Sequence, residues 1–202
     1  MILQTYTVIN CGKIDVILTG NRRIIKKTLT MPLSDQQNIQ MQQLIFKLKL
    51  LPHPEGGYFR ETYRSKGIIE SGNSGFNGER NYSTSIYFLL TSASFSAFHR
   101  IPQDEIWHFY DGSPIHLHMI SPDGIYTKTT IGRDIKNGEI PQFVVPGGAW
   151  FGAIVLGEDD FALVGCTVAP GFDFLDFELG LRADLVRKYP KHQEIISSLT
   201  RE

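Results

Sequence analysis

From Gly56 to Glu178 the chain never settles into a helical period. It runs through ten short segments, "YFRETYR", "TSIYFLL", "SFSAFHR", "EIWHFYD", "IHLHMIS", "YTKTTIG", "PQFVVPG", "FGAIVL", "FALVGCTV" and "FDFLDFE", parted by Gly, Pro, Asn and Asp. Where apolar and polar residues alternate, a strand buries one face and leaves its backbone edges for neighbours to pair. Many short strands at near-regular spacing, with no helix between them, indicate a β-sandwich or a barrel. The 19 glycines and 10 prolines point to the many turns this needs, and 202 residues suffice for a sizeable core without covalent staples. The expected class is all-β with minor helices.

Helices are expected only at the flanks. Ser34-x-x-Gln37 reads as a capping box, and Met41, Leu44, Ile45, Leu48 and Leu51 recur at helical spacing, so a helix is expected from Asp35 to Leu50, ended by Pro52 and Pro54. The tail from Arg182 to Leu199 returns to helix, interrupted at Pro190. Residues 1–33 are set apart as an N-terminal extension, either a hairpin or an arm without fixed structure, and residues 34–202 as the main domain. The extension carries Lys13, Arg22, Arg23, Lys26 and Lys27 against Asp15, and is read as a solvated basic arm. The Gly/Asn/Ser-rich stretch 67–80 is read as a mobile loop or a lid over a site.

The net charge of −1 gives no electrostatic case for nucleic acid or a membrane surface over the whole chain. No apolar run approaches a membrane span. Cys11 and Cys166 lack CxxC spacing and are read as free thiols of a reducing cytoplasm.

The chemistry concentrates in "FHRIPQDEIWHFYDGSPIHLHMI", which holds His99, Glu105, His108, His116 and His118. Three readings fit it: a metal site, an acid–base site, or strands that happen to carry histidines. Alternation sends Trp107 and Phe109 inward with Glu105 and turns His108 outward. It likewise puts Ile115, Leu117 and Met119 on the core face, leaving His116 and His118 as dispensable surface residues. Elsewhere, Tyr58, Arg60, Thr62 and Arg64 share one strand face, with Phe59, Glu61 and Tyr63 on the other. Tyr58 and Arg60 are candidate binding residues, because a guanidinium presents a fork to carboxylate or phosphate. Tyr87 offers a phenol as an acid. Trp107, Phe109, Trp150 and Phe151 are expected as apolar walls of a small-molecule pocket.

These residues carry a resemblance. His99, Glu105 six residues on, then Gly112, and later "VPGGAWFGA" are similar to the two motifs of the cupin superfamily. More specifically, "LPHPEGGYFRETYRS", "STSIYFLL", "FHRIPQDEIWHFYDGSP", "VVPGGAWFGA" and "VAPGFDFLDFELG" resemble an uncharacterised cupin-like family of single-domain proteins, over about residues 36–200. The resemblance implies a double-stranded β-helix, a form of jelly roll, commonly dimeric. It also implies, for metal-binding members, three His and one Glu. Here His99 and Glu105 match, whereas Ile101 and Phe151 stand where the other two histidines would be. No metal and no cofactor are therefore expected. Metal-free cupins that epimerise nucleotide-linked sugars use a His base and a Tyr acid, an analogy of fold and pocket. The leading functional expectation is a homodimeric, metal-independent isomerase or epimerase of a sugar-like or carbonyl compound, with His99 transferring the proton, Glu105 orienting it and Tyr87 as the acid. The alternatives are a non-catalytic module that binds a small ligand, and a metal cupin using His99, Glu105 and His108.

Overall fold

Strand alternation is converted into two facing sheets in the computed structural model, which describes residues 4–10, 13–20, 23–30, 33–70, 76, 78–158 and 160–201, with side chains from Asp35 onward. The chain divides into two compact units, residues 1–43 and 44–202. In the first, β1 (Gln4–Asn10), β2 (Lys13–Gly20) and β3 (Arg23–Thr30) form an antiparallel sheet in that order. This is one strand more than the hairpin that the sequence suggests. Cys11 lies outside the described residues, and Cys166 is a buried free thiol. The helix α1 runs Leu33–Leu48, within two residues of expectation.

In the second unit, β4 (Leu51–Pro52) and β5 (Tyr58–Arg64) open the chain, and β6 (Ile68–Ile69) pairs with β7 (Arg80–Asn81). The centre of the stretch read as a lid, 71–75 and 77, lies outside the described residues. Then follow β8 (Thr84–Thr91), β9 (Phe95–Arg100), β10 (Asp104–Gly112), β11 (Ile115–Ile120) and β12 (Tyr126–Ile131). The last strands are β13 (Gln142–Val145), β14 (Trp150–Val155), β15 (Phe161–Ala169) and β16 (Glu178–Leu179). One sheet has the order β13-β10-β15-β8-β5-β4 and the other β12-β11-β14-β9-β16. All these pairings are antiparallel. This is the sandwich that the strand spacing indicates, in the jelly-roll form that the resemblance implies.

The core forms where the inner faces meet. Phe88, Trp107 and Val164 of the first sheet pack with Ile115, Leu117 and Phe151 of the second, all essentially fully buried. Each such side chain contributes about 2–3 kcal/mol. A second apolar cluster lies on the other face of the five-stranded sheet. There Phe98, Ile120 and Trp150 pack under Leu185 and Tyr189 of and beside α2 (Arg182–Lys188), and under Ile196 of α3 (Gln193–Ser198). The Pro190–His192 turn separates these helices, where Pro190 breaks the helical period.

That covering corrects the reading of His118. Ile115 and Leu117 do face the core, and His116 and His118 do share the opposite face. The opposite face is not solvent, however. His118 is 4% exposed and its Nδ1 lies 2.7 Å from the Tyr126 hydroxyl. Replacing His118 by Gln is expected to cost about 1–2 kcal/mol through the lost buried hydrogen bond, with His116→Gln near zero, as urea unfolding would show. Burial above all, then His116 and Lys128, pushes His118 down to about 4. The unfolded imidazole titrates near 6.5, so below that pH the unfolded chain binds the extra proton. His118 thus favours the fold fully above pH ~6.5, and that contribution drains away as pH falls toward 4. The stability difference between wild type and His118→Gln should shrink across that window.

Candidate active site

A cavity of about 230 Å³ opens between the two sheets at one end of the roll. Phe59 of β5 with Ile86 and Phe88 of β8 form one wall, and Ile101 and Val168 another. Phe172, Phe174 and Phe177 roof it. The floor is polar, made of His53, Glu55, His99 and Glu105 with the Cys166 thiol.

His53 and Glu55 reach the floor through a tight turn between β4 and β5. Gly56 has φ +122° and Gly57 φ +70°, conformations that side-chain-bearing residues rarely adopt. A Cβ on Gly56 would also lie 2.1 Å from the Phe95 carbonyl oxygen, so the turn needs glycine for space as well. The Glu55 carbonyl accepts from the Ala97 N–H at 2.9 Å, tying this turn to β9, which carries His99. Glu105 enters from β10, where it pairs with Val168 and Val145.

The hydrogen bonds fix most of the floor's protons. His99 Nδ1 lies 2.8 Å from the Ala97 carbonyl oxygen, which can only accept, so Nδ1 carries the proton. In the neutral ring Nε2 is then bare, and it lies 3.2 Å from Glu55 Oε2. Two bare acceptors do not hold that distance, so a proton sits between them. Glu55 Oε1 accepts from the Ser96 hydroxyl at 2.7 Å. His53 Nδ1 accepts from the Glu55 backbone N–H at 3.4 Å and lies 3.5 Å from Glu55 Oε2; the backbone donor, together with the proton held between Glu55 and His99, favours the tautomer with its ring proton on Nε2. Burial dominates every titration here: it lowers His99 and His53 and raises Glu55. Glu105 is pushed up to about 7, first by burial and then by Glu55, against the opposing pull of His99, Cys166 and Trp107. The Trp107 indole N–H itself closes no hydrogen bond of full geometry. Glu105 is thus poised near neutral pH between its protonation states.

Aromatic rings enclose the imidazoles. Phe151 lies 4.1 Å from His99 between ring centroids, and Phe177 stacks on it at 5.4 Å. Phe59 meets His53 edge-on at 4.6 Å.

The mouth is held by ion pairs. Sequence alternation separates Glu61 from Arg64, yet a β-bulge between Glu61 and Tyr63 turns both to the cavity. Arg64 then binds Glu61 through Nε and Nη2 at 2.9 and 2.6 Å. The roof is not the strand read from "FDFLDFE". Asp173 accepts from the Leu175 N–H, curling Phe174–Asp176 into a 3-10 turn before β16. Arg80 grips Asp176 through Nε and Nη2 at 2.7 and 2.6 Å, and Gln103 adds a bond to the same carboxylate at 2.6 Å.

Of the residues singled out in the sequence, His99 and Glu105 meet in the cavity. Phe151 and Trp107 lie beneath it in the core, Trp107 edge-on to both Phe88 and Phe151, and Phe109 packs at the core's margin. Tyr87 and Arg60 are not brought to the cavity. Strand alternation turns them to the outer face of their sheet, where the Arg60 guanidinium lies 5.7 Å from the Tyr87 ring and Tyr58 shares that face. Trp150 also faces outward, under α2 and against Arg100. His108 is on the outer face too, 3.2 Å from the Thr167 hydroxyl. Sequence reading passed over His53 and Glu55. Their signal was present in "PHPEGG": two titratable side chains in a stretch stiffened by two prolines and turned by two glycines.

The family model described as "Cupin superfamily (DUF985)" matches residues 42–180. The chain belongs to this cupin family. It is 40% identical over 148 residues to the uncharacterized protein YML079W of Saccharomyces cerevisiae, covering 67% of this chain and 73% of that one. A solved structure of a hypothetical protein from Leishmania major superposes with a TM-score of 0.75 at 37% identity, over 80% of this chain and 98% of that one. Protein SO0799 from Shewanella oneidensis gives 0.72 at 41% identity, over 79% and 96%.

Other cupins hold a metal, and the donors here do not fit one. Ile101 and Phe151 occupy two of the four ligand positions, and Phe151 packs its ring on His99. His99 Nε2 already faces Glu55. Among the described residues no three His, Cys, Asp or Glu side chains are disposed to hold an ion.

Proposed function

We propose that this cupin is a metal-independent isomerase that moves a proton on a small carbonyl compound bound in the cavity. The observation that carries the reading is the floor: two carboxyls and two imidazoles gathered under apolar walls, with Glu105 tuned to about 7. A general base or acid works best with its pKa near the working pH.

The geometry favours exchanging the roles expected of His99 and Glu105. His99 is engaged on both nitrogens, by Ala97 and Glu55. Glu105 is the group able to take a proton from the carbon next to a carbonyl. The electron pair left behind moves onto the carbonyl oxygen as an enolate, which the Nε2–H of His53 can stabilise. Glu105 then returns a proton to the α-carbon; where the enolate turns over in the cavity before that return, the proton arrives on the opposite face and the carbon is epimerised. The Glu55–His99 pair shares one proton and adjusts as Glu105 changes charge.

The test is solvent exchange. Enolisable ketones and aldehydes incubated with the protein in D₂O should gain deuterium at the α-carbon, read by NMR. Glu105→Gln should slow this by about 10²–10⁴-fold. No exchange above a buffer control across a panel of such compounds would overturn the reading. A second reading, a non-catalytic binding module, is supported by the mutual satisfaction of Glu55 and His99, and predicts binding without exchange in every variant. A cytoplasmic homodimer is part of the proposal. It is supported by the exposed Tyr63, Tyr110 and Val144 on the six-stranded sheet, and light scattering tests the mass. Among the described residues no helix is long and apolar enough to cross a membrane.

A further inference from the structure

We propose that the cavity selects non-anionic, largely apolar carbonyl compounds of roughly ten non-hydrogen atoms, and rejects phosphorylated, nucleotide-linked and carboxylated ones. This rests on the isomerase reading above and names its substrate class.

The charge inventory of the cavity decides against anions. Arg64 is the one Lys or Arg side chain among the described lining residues. Four of its five N–H groups are committed: two to Glu61, one to Asn81 Oδ1 at 2.8 Å and one to the Phe172 carbonyl at 3.2 Å. Against it stand Glu61 and Asp173 at the mouth, with Glu55 and Glu105 at the floor. An anion entering here would meet four carboxyl groups and one cation already paired. A phosphate or carboxylate stripped of water in such a place has nothing to replace its hydration. The two imidazoles offer no rescue, because burial holds both toward their neutral forms.

Size and walls decide the rest. A cavity of roughly 150 Å³ takes benzene. At about 230 Å³ this one encloses a single ring with a short substituent, and a nucleotide-linked sugar is far too large to be enclosed by it. Phe59, Phe88, Phe172, Phe174 and Phe177 supply apolar contact around the body of such a ligand. Between the charged mouth and the floor the walls are apolar, so the polar groups of the floor suit one carbonyl placed there.

The experiment is a matched NMR titration at pH 8 with cyclohexyl methyl ketone and cyclohexanecarboxylate, with α-deuterium exchange of the ketone recorded in parallel. The ketone is expected to bind at least tenfold more tightly than the carboxylate, with contacts to the cavity phenylalanines. Equal or tighter binding of the carboxylate would overturn the substrate class, and so would absence of ketone binding at millimolar concentration. Ketone preference without exchange in this ketone or in the wider carbonyl panel would leave the class standing and sink the isomerase reading. Exchange found only with anionic carbonyl compounds would do the reverse.

Discussion

Replacing Arg80 by Met is expected to lower the unfolding free energy by about 3 kcal/mol. Arg80 and Asp176 are both buried, and the guanidinium meets both carboxylate oxygens at 2.7 and 2.6 Å. Removing one member leaves the other charged, desolvated and short of partners, which costs far more than the intact pair contributes. Gln103 would keep one bond to Asp176, and the pair lies close to the surface, so the low end of the range for buried pairs applies. The double variant Arg80→Met/Asp176→Leu should recover most of the loss, because no uncompensated charge remains. The damage should be directional. Asp176 closes the turn that carries Phe174 and precedes Phe177, so a loosened Arg80 variant should bind cavity ligands more weakly. Urea unfolding reads the first effect and NMR titration the second. A variant as stable as wild type would show that the roof is held by its phenylalanines alone.

What the sequence discloses, and where it stops, follows from how far each signal reaches. On β10 strict alternation places Glu105 and Trp107 inward and His108 outward, because nothing interrupts the ladder until past Phe109. On β5 the same rule separates Glu61 from Arg64. It fails because one extra residue at a bulge resets the alternation, and no residue type in "RETYR" announces a bulge. On β11 alternation assigns the faces of His116 and His118 correctly but not their exposure. A face is solvent only if nothing covers it, and the covering helices lie over sixty residues later in the chain. "FDFLDFE" alternates like a strand, yet Asp173 bonds a backbone N–H two residues on and Asp176 is drawn to Arg80, so the segment curls. His53 and Glu55 lie between the expected helix and the first strand, and no periodic pattern marks them. Their part in the floor depends on β9 coming to lie against that turn, a pairing made across more than forty residues.

Glu105→Gln is expected to lose turnover and gain stability at pH 8, a combination that a merely structural carboxyl would not produce. The carboxyl is raised from 4.5 to about 7, mainly by burial. Between those values the folded protein binds a proton that the unfolded chain releases. The stabilising contribution is therefore complete below pH ~4.5 and is lost as pH rises through 7, amounting to at most about 3 kcal/mol for the shift. The neutral amide escapes that loss, so the variant should overtake wild type as the pH passes from 5 to 8. Catalysis runs the other way. As a base Glu105 must be ionised, so wild-type log(kcat/KM) should climb with unit slope below about pH 7 and level off above it. The midpoint belongs to Glu105, His99 and Glu55 together, since their charges are coupled. In the Gln variant the climb disappears with the activity. Denaturant unfolding at pH 5 and 8, beside α-proton exchange at the same values, supplies both readouts. A variant that is destabilised at pH 8 and retains exchange would place Glu105 among the packing residues and move the search for the base to Glu55.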